Sequence, residues 1–164
     1  MDKYLKKASQ IISENIYMTI STASTDGKPW ISPVFFVYDK NYNLYWYSNK
    51  KARHSKLIEE NPQAAIVIFD SSAPEGKGDG VYFEANVTEL RNETDIKEAM
   101  KLFNKRITED EFKINKVGEV TKDGVWRIYK AVPYEVSKLT EGEFIDGQYV
   151  DKRVELDLKE LQKI

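Results

Sequence analysis

The sequence predicts a mainly-β domain, a small barrel with short helices set between its strands. Three observations carry that expectation. Aromatic residues are abundant, with three Trp, ten Tyr and seven Phe, and aromatic side chains favour pleated, half-buried strands over helices. Short apolar runs recur along the chain, separated by Asp-Gly, Asn-Pro and glycine-rich turn signals. A length of 164 residues with 41% apolar composition suits one domain with one sizeable core over residues 1–164.

The elements follow in order. Residues 2–14 read as an amphipathic helix, because Leu5, Ala8, Ile11 and Ile12 recur at helical spacing with Tyr4 beside them. Such a helix would cover one open end of a sheet. Ile16, Met18, Ile20 and Thr22 then alternate with polar or small residues, and Asp26-Gly27 is a hairpin signal leading into a second strand over 28–38. Pro29 and Pro33 lack an amide donor, which places them at a sheet edge or a bulge, where the backbone is free to serve a ligand. A turn at Asp39 to Asn43 and a strand over 44–49 complete what reads as a three-stranded meander. Residues 50–60 form one short helix with Ala52, Leu57 and Ile58 inward, ended by Asn61-Pro62.

Residues 64–69 are all apolar, a pattern expected of a strand buried on both faces, beneath a helix, a second subunit or a cofactor. Gly76, Gly78 and Gly80 then punctuate a polar loop. A phosphate-binding loop would end in Gly-Lys-Ser/Thr and open a helix, and neither feature is present. A further strand over 80–90 and a helix over 94–106 follow, the helix with Ile96, Ala99, Met100, Phe103 and Ile107 as its apolar stripe. Thr108 and Glu111 have the spacing of a capping box. After Asp123-Gly124, residues 125–139 supply the closing strands. Asp146-Gly147 marks one more hairpin, and residues 158–164 read as a loosely packed tail.

Composition removes several chemistries. With no cysteine, thiolate catalysis, iron–sulfur clusters, structural cysteine–zinc sites and disulfides are excluded. One histidine and no His-Glu-x-x-His motif leave no pattern for a metal site. No early apolar stretch resembles a signal peptide or a membrane span, so the expected address is cytoplasmic with no membrane partner. A formal charge of −2 offers no global electropositive surface, and no nucleic-acid partner is expected.

One local run stands apart from that balance. Lys50, Lys51, Arg53, His54 and Lys56 crowd the first turns of a single helix, where like charge meets the positive end of the helix dipole. An anion placed there reverses the sign of the interaction. A phosphate is the natural candidate: Arg53 can grip it with two hydrogen bonds, and Ser48 or Asn49 can add one or cap the helix. A solvated basic face that binds nothing accounts for the same residues equally well. His54 lies one turn before Leu57 and Ile58, hence on the inward side. No nucleophile triad or carboxylate pair emerges, so any redox chemistry must come from a cofactor that the chain positions.

The stretch LYWYSNKKARHSKLIEENPQAAIVIF, residues 44–69, resembles the pyridoxamine 5'-phosphate oxidase-like family of FMN-binding split barrels, within a similarity from about Ile16 to Leu90 and a weaker echo in WRIYKAVPYEV. The resemblance implies a six-stranded split β-barrel that binds FMN between the two subunits of a homodimer. It places flavin contacts on Tyr47 and Ser48, the paired basic phosphate ligands on Arg53 and His54, with Lys51 in the same run, and the flavin-edge strand on Ser32, Pro33, Val34 and Phe35. His54 stands where the oxidase has lysine. Three departures accompany it: Ser32 replaces a phosphate-binding arginine, Gly80 stands nearest to a glutamine, and the C-terminal Arg-Leu-x-x-x-Arg-like segment with its preceding tryptophan is missing. Val136-Ser137-Lys138 and Lys152-Arg153 do not reproduce it. Related split barrels also accept deazaflavin or haem. The implied function is an FMN-dependent oxidoreductase acting with a small organic donor or acceptor. The alternative is a non-catalytic flavin-binding or sensing protein, favoured if Trp30, Trp46, Trp126 or C-terminal residues cover the ring.

Overall fold

The computed structural model describes residues 1–121 and 124–164, and the Asp123-Gly124 step expected before the closing strands lies partly outside the described residues. The fold is mainly β, a curled antiparallel sheet that stays split along one side. Its path runs β2 (Pro29–Phe35), β1 (Tyr17–Ala23), β5 (Gln63–Phe69), β6 (Gly80–Glu89), β7 (Trp126–Leu139), β4 (Leu44–Asn49), β3 (Val37–Tyr38), with β10 (Arg153–Glu155) paired to β7. A separate hairpin joins β8 (Glu143–Ile145) and β9 (Gln148–Val150). The described residues thus place eight strands in the main sheet, where the resemblance implies a barrel of six.

Strand alternation builds the interior. Met18 and Ile20 of β1, Ile66 and Ile68 of β5, Val81, Phe83, Ala85 and Val87 of β6 and Trp46 of β4 share one buried cluster, as a period of two requires. The helix α1 (Asp2–Glu14) adds Leu5, Ala8, Ile11 and Ile12 to that cluster. The opposite face of β4 and β7 carries a second core of Tyr45 and Ile128, covered by Ile96, Ala99 and Phe103 of α3 (Glu93–Arg106). Asn92 caps α3 by accepting from the amides of Thr94 and Asp95.

Long-range pairing departs from the sequence expectation in several places. The first strands do not form a meander, because β2 pairs with β1 whereas β4 pairs with β3 and β7. One long strand, β7, does the work of the expected closing strands. It bends at Tyr134, skipped where Glu84 faces Glu135 and Ala85 faces Pro133, since a bulge sharpens twist and lets one strand serve two neighbours. The apolar run of β5 is buried on one face alone: Ala64, Ile66 and Ile68 point inward while Ala65 and Phe69 are exposed on the outside of the single chain. Thr108 and Glu111 form no capping box, for the short 3-10 turn at Asp110–Phe112 starts after Glu109 without a side-chain cap. The C-terminal tail is not loose. Leu156 and the fully buried Leu161, the latter in α4 (Leu158–Leu161), belong to the main core with α1.

The two prolines act as expected. β2 is an edge strand, and Pro33 faces Thr19 of β1. A residue that cannot donate takes a position whose amide side faces away from the ladder. By the same alternation the backbones of Ile31 and Phe35 face the split, whereas the amide of Phe36 turns back and donates to Ile16 O at 3.1 Å.

Candidate functional site

The site is assembled from the open edge of β2, the end of β4 and the start of α2 (Arg53–Glu60), which packs against β1 and β2. The helix begins three residues later than the basic run suggests. Lys50 and Lys51 lie in the preceding turn, tied by Lys50 Nζ donating to Gly124 O at 3.2 Å and by the Lys51 amide donating to Asn49 Oδ1 at 2.8 Å. Neither Ser48 nor Asn49 caps the helix. Its N-cap is Ala52, which has no capping side chain, and the hydroxyl of Ser55 is spent on Asn49 O. The first amides of α2 therefore lack a side-chain acceptor at the end where the dipole is positive.

Arg53 is the first residue of α2. Its guanidinium lies over the ring of Trp30 at 4.2 Å from the centroid, a cation–π contact that leaves the edge of the guanidinium available to a ligand. No carboxylate among the described residues pairs with it. His54 sits beside it, half-buried, and its Nε2 is buried with no hydrogen-bond partner among the described residues. Burial holds the imidazole below its ordinary pKa, so the ring is neutral. An uncapped helix start and an unpaired guanidinium are donors suited to a small oxyanion such as phosphate, while Nε2 of His54 is shut off from the surface beside them.

Tyr47 and Phe35 lie at the other end of the edge. From Trp30 to Phe35 the strand extends over roughly 17 Å at about 3.3 Å per residue, the span of an extended nucleotide. Phe35 meets Tyr17 edge-on with centroids 6.2 Å apart. Tyr47 is held edge-on by Phe103 at 5.3 Å and Trp126 at 5.9 Å, and its hydroxyl donates to Phe112 O at 3.3 Å. Burial, with Tyr17 nearby, pushes that hydroxyl above its ordinary pKa. Tyr17, Phe35, Tyr47 and Phe112 border a cleft of about 390 Å³ whose walls include Ile16, Ile107 and Arg106.

Alternation divides the sequence-derived set between two faces. Pro33 and Phe35 of β2 and Tyr47 of β4 point outward, with Lys51, Arg53 and the flank of His54 near the same edge. Ser32, Val34 and Ser48 are buried and point into the barrel; their side chains do not reach the outer cleft, and a contact from these positions would have to come from backbone. Trp30, Tyr17, Phe112 and Arg106 join the site only in the fold. Trp30 carried a signal, a large aromatic beside Pro29 at a strand start. Arg106 carried none.

The comparisons with known proteins agree with this architecture. The sequence model of the family described as pyridoxamine 5'-phosphate oxidase matches residues 5–128. Two curated relatives, the pyridoxine/pyridoxamine 5'-phosphate oxidases of Crocosphaera subtropica and Rippkaea orientalis, are 30% identical over 69 residues and 33% identical over 61. Those segments cover 42% and 37% of this chain and 32% and 28% of the relatives, so the aligned part spans about a third of their length. Among solved structures, a heme-binding protein from Mycobacterium smegmatis superposes with TM-score 0.72 at 15% identity, covering 98% of this chain and 60% of that one. HutZ, the heme storage protein from Vibrio cholerae, gives 0.66 at 16% identity, covering 80% and 91%. General Stress Protein 26 from Bacillus anthracis gives 0.59 at 18% identity, covering 89% and 96%.

Proposed function

The chain belongs to the pyridoxamine 5'-phosphate oxidase family, and from that membership and the geometry at the start of α2 we propose that it binds FMN and works as a flavin-dependent oxidoreductase on a small organic substrate. The observation that carries the reading is Arg53, seated on Trp30 without a carboxylate partner among the described residues, at the uncapped start of α2. Arg53 and His54 hold the phosphate, Lys51 adds positive charge from the turn before them, and the uncapped amides of α2 complete the anion seat. The edge of β2 from Ile31 to Phe35 lies along the ring system, offering the backbone groups of Ile31 and Phe35 that face away from the β1 ladder. The ring ends against Tyr47 and Phe35 at the mouth of the cleft, which stays free beyond it. FMN supplies hydride and electron transfer when bound; the chain's own part is to place it, neutralise its phosphate and keep one side of the cleft open.

The second subunit belongs to the same proposal. Ile31 (64% exposed), Ala65 and Phe69 are apolar residues exposed on the outside of the sheet, with Ser21 between the first two, and a homodimer with the flavin at its interface would cover them. No described helix is long and apolar enough to cross a membrane.

The competing reading is a non-catalytic flavin-binding or sensing protein; two of the structural relatives are named as a heme storage and a heme-binding protein. Access to the ring favours catalysis. Trp46 is buried inside the barrel, Trp30 lies beneath Arg53 and Trp126 stands behind Tyr47, so none of the three tryptophans roofs the cleft. Titration of the cofactor-free protein with FMN, followed by anaerobic reduction with a nicotinamide donor and addition of an organic acceptor, tests the reading. Binding followed by turnover supports the enzyme, and binding without any turnover supports the sensor.

A further inference from the structure

The cleft beside Tyr47 has a composition that the cofactor does not explain. Its apolar walls are Ile16, Tyr17, Phe35, Ile107 and Phe112, and its volume of about 390 Å³ falls within the range of small-molecule sites. Its one cation, Arg106, is committed elsewhere. The guanidinium donates from Nη1 to Phe36 O at 3.0 Å and from Nη2 to Asn15 O at 2.5 Å and Ser13 O at 3.3 Å, and packs over the Phe36 ring at 4.8 Å. These bonds tie the end of α3 to the end of α1 and to the residue after β2. They leave Arg106 as part of the wall rather than a receptor for an anion. The charged group remaining in the lining is a carboxylate, Glu109, on the exposed rim.

We propose that this cleft binds an uncharged planar organic molecule, quinone-like in shape, and rejects phosphorylated or carboxylated ones. The ring faces of Phe35 and Phe112 offer dispersion and edge contacts to a flat ligand. A phosphate or carboxylate would meet Glu109, would find the Arg106 donors already directed to three backbone carbonyls, and would lose its hydration against apolar walls. The polar handle is the hydroxyl of Tyr17, a largely exposed residue that donates to a carbonyl or nitro oxygen of the ligand. The neighbouring Tyr47 hydroxyl is already spent on Phe112 O. The inference names the substrate class for the proposed oxidoreductase and rests on that reading for the molecule's role, whereas the binding stands on the cleft alone.

The test is titration of the full chain with menadione, read by quenching of tryptophan emission, to which Trp126 contributes through its contact with Tyr47. The cofactor-free and FMN-loaded forms are compared. The expected result is saturable quenching in both forms, unchanged by excess riboflavin and undisturbed by excess pyridoxal 5'-phosphate. Phe112→Ala, on an exposed turn, weakens it by about tenfold through loss of the aromatic wall, and Tyr17→Phe weakens it by about three- to tenfold through loss of one hydrogen bond. Displacement by pyridoxal 5'-phosphate overturns the charge argument. Displacement by riboflavin overturns the proposal by making the cleft the seat of the flavin ring. Absence of saturable quenching, or quenching indifferent to Phe112→Ala, overturns it as well. Menadione binding in a protein that takes no FMN supports the cleft assignment while defeating the cofactor reading.

Discussion

The guanidinium of Arg53 rests 4.2 Å above the ring of Trp30, which joins the first residue of α2 to the second residue of the edge strand β2. The contact does two things. It absorbs the apolar face of a side chain that has no carboxylate partner among the described residues, and it fixes the direction in which the donor edge points. Arg53→Ala should therefore weaken FMN binding by about 10- to 100-fold, from loss of about 1.5–3 kcal/mol of charge-assisted hydrogen bonding. Riboflavin binding should hardly change. Trp30→Leu should produce a smaller loss, because the guanidinium stays present with its aim loosened. Isothermal titration of the variants with both ligands checks the pair.

His54 makes stability depend on pH in a defined direction. Burial lowers its pKa in the folded chain, so as pH falls below the ordinary value of about 6.5 the unfolded chain takes up the proton first. Proton uptake by the unfolded state favours unfolding. The contribution of the neutral, buried ring is thus fully present above that ordinary value and is lost progressively as pH falls toward the depressed folded value. In cofactor-free protein, urea midpoints should drop across that window, and His54→Gln should flatten the drop. A saturating oxyanion should also flatten it, by stabilising the protonated ring in the folded state.

Lys138 is buried, and its ammonium meets Asp79 at 2.5 and 2.6 Å and Leu139 O at 3.0 Å. Removing one partner of a buried pair leaves a charge without compensation. Asp79→Ala should cost about 3 kcal/mol, the lower end of the usual range because Asp79 is partly exposed. Lys138→Met, which removes the charge itself, should be much closer to neutral. Chemical denaturation of the two variants separates a required pair from a replaceable one. The pair also anchors the glycine-rich loop to β7, which gives that loop a structural role in place of the phosphate-binding one its glycines invite.

The C-terminal turn is a second stability site. Leu161 is fully buried in the cluster that holds Leu5, Ala8, Ile11 and Ile12, and Leu161→Ala should cost about 2–5 kcal/mol by leaving a cavity between α4 and α1. A thermal melt checks it; a change near zero would return these residues to the status of a loose tail.

What was legible in the sequence was local. Asp26-Gly27 and Asp146-Gly147 announced their hairpins because glycine takes the left-handed backbone that tight turns need, and Gly27 and Gly147 do so with φ of 84° and 79°. The amphipathic stripe of α1 was equally plain. The order of the strands was not, since nothing within β4 says that its partner is β7, some eighty residues later. The tail was misread because three leucines spaced over polar sequence acquire a partner only when β10 sets them against α1. At the site, the basic run was visible because its charge conflicts with a helix start unless an anion resolves it. The seat of Arg53 on Trp30 was invisible, being a contact between residues 23 positions apart in sequence. Family resemblance indicated Ser32, Val34 and Ser48, whose side chains the pleat turns inward.

The central claim is that the start of α2 is a phosphate seat that places a flavin along the edge of β2. Parallel titration of the cofactor-free protein with FMN and with riboflavin, followed by quenching of flavin fluorescence, tests it most directly. The account predicts that FMN binds at least about tenfold more tightly than riboflavin, as charge-assisted contacts to the phosphate require, and that Arg53→Ala erases the difference. Equal affinity for the two ligands in the unaltered protein, or binding of neither, would contradict it.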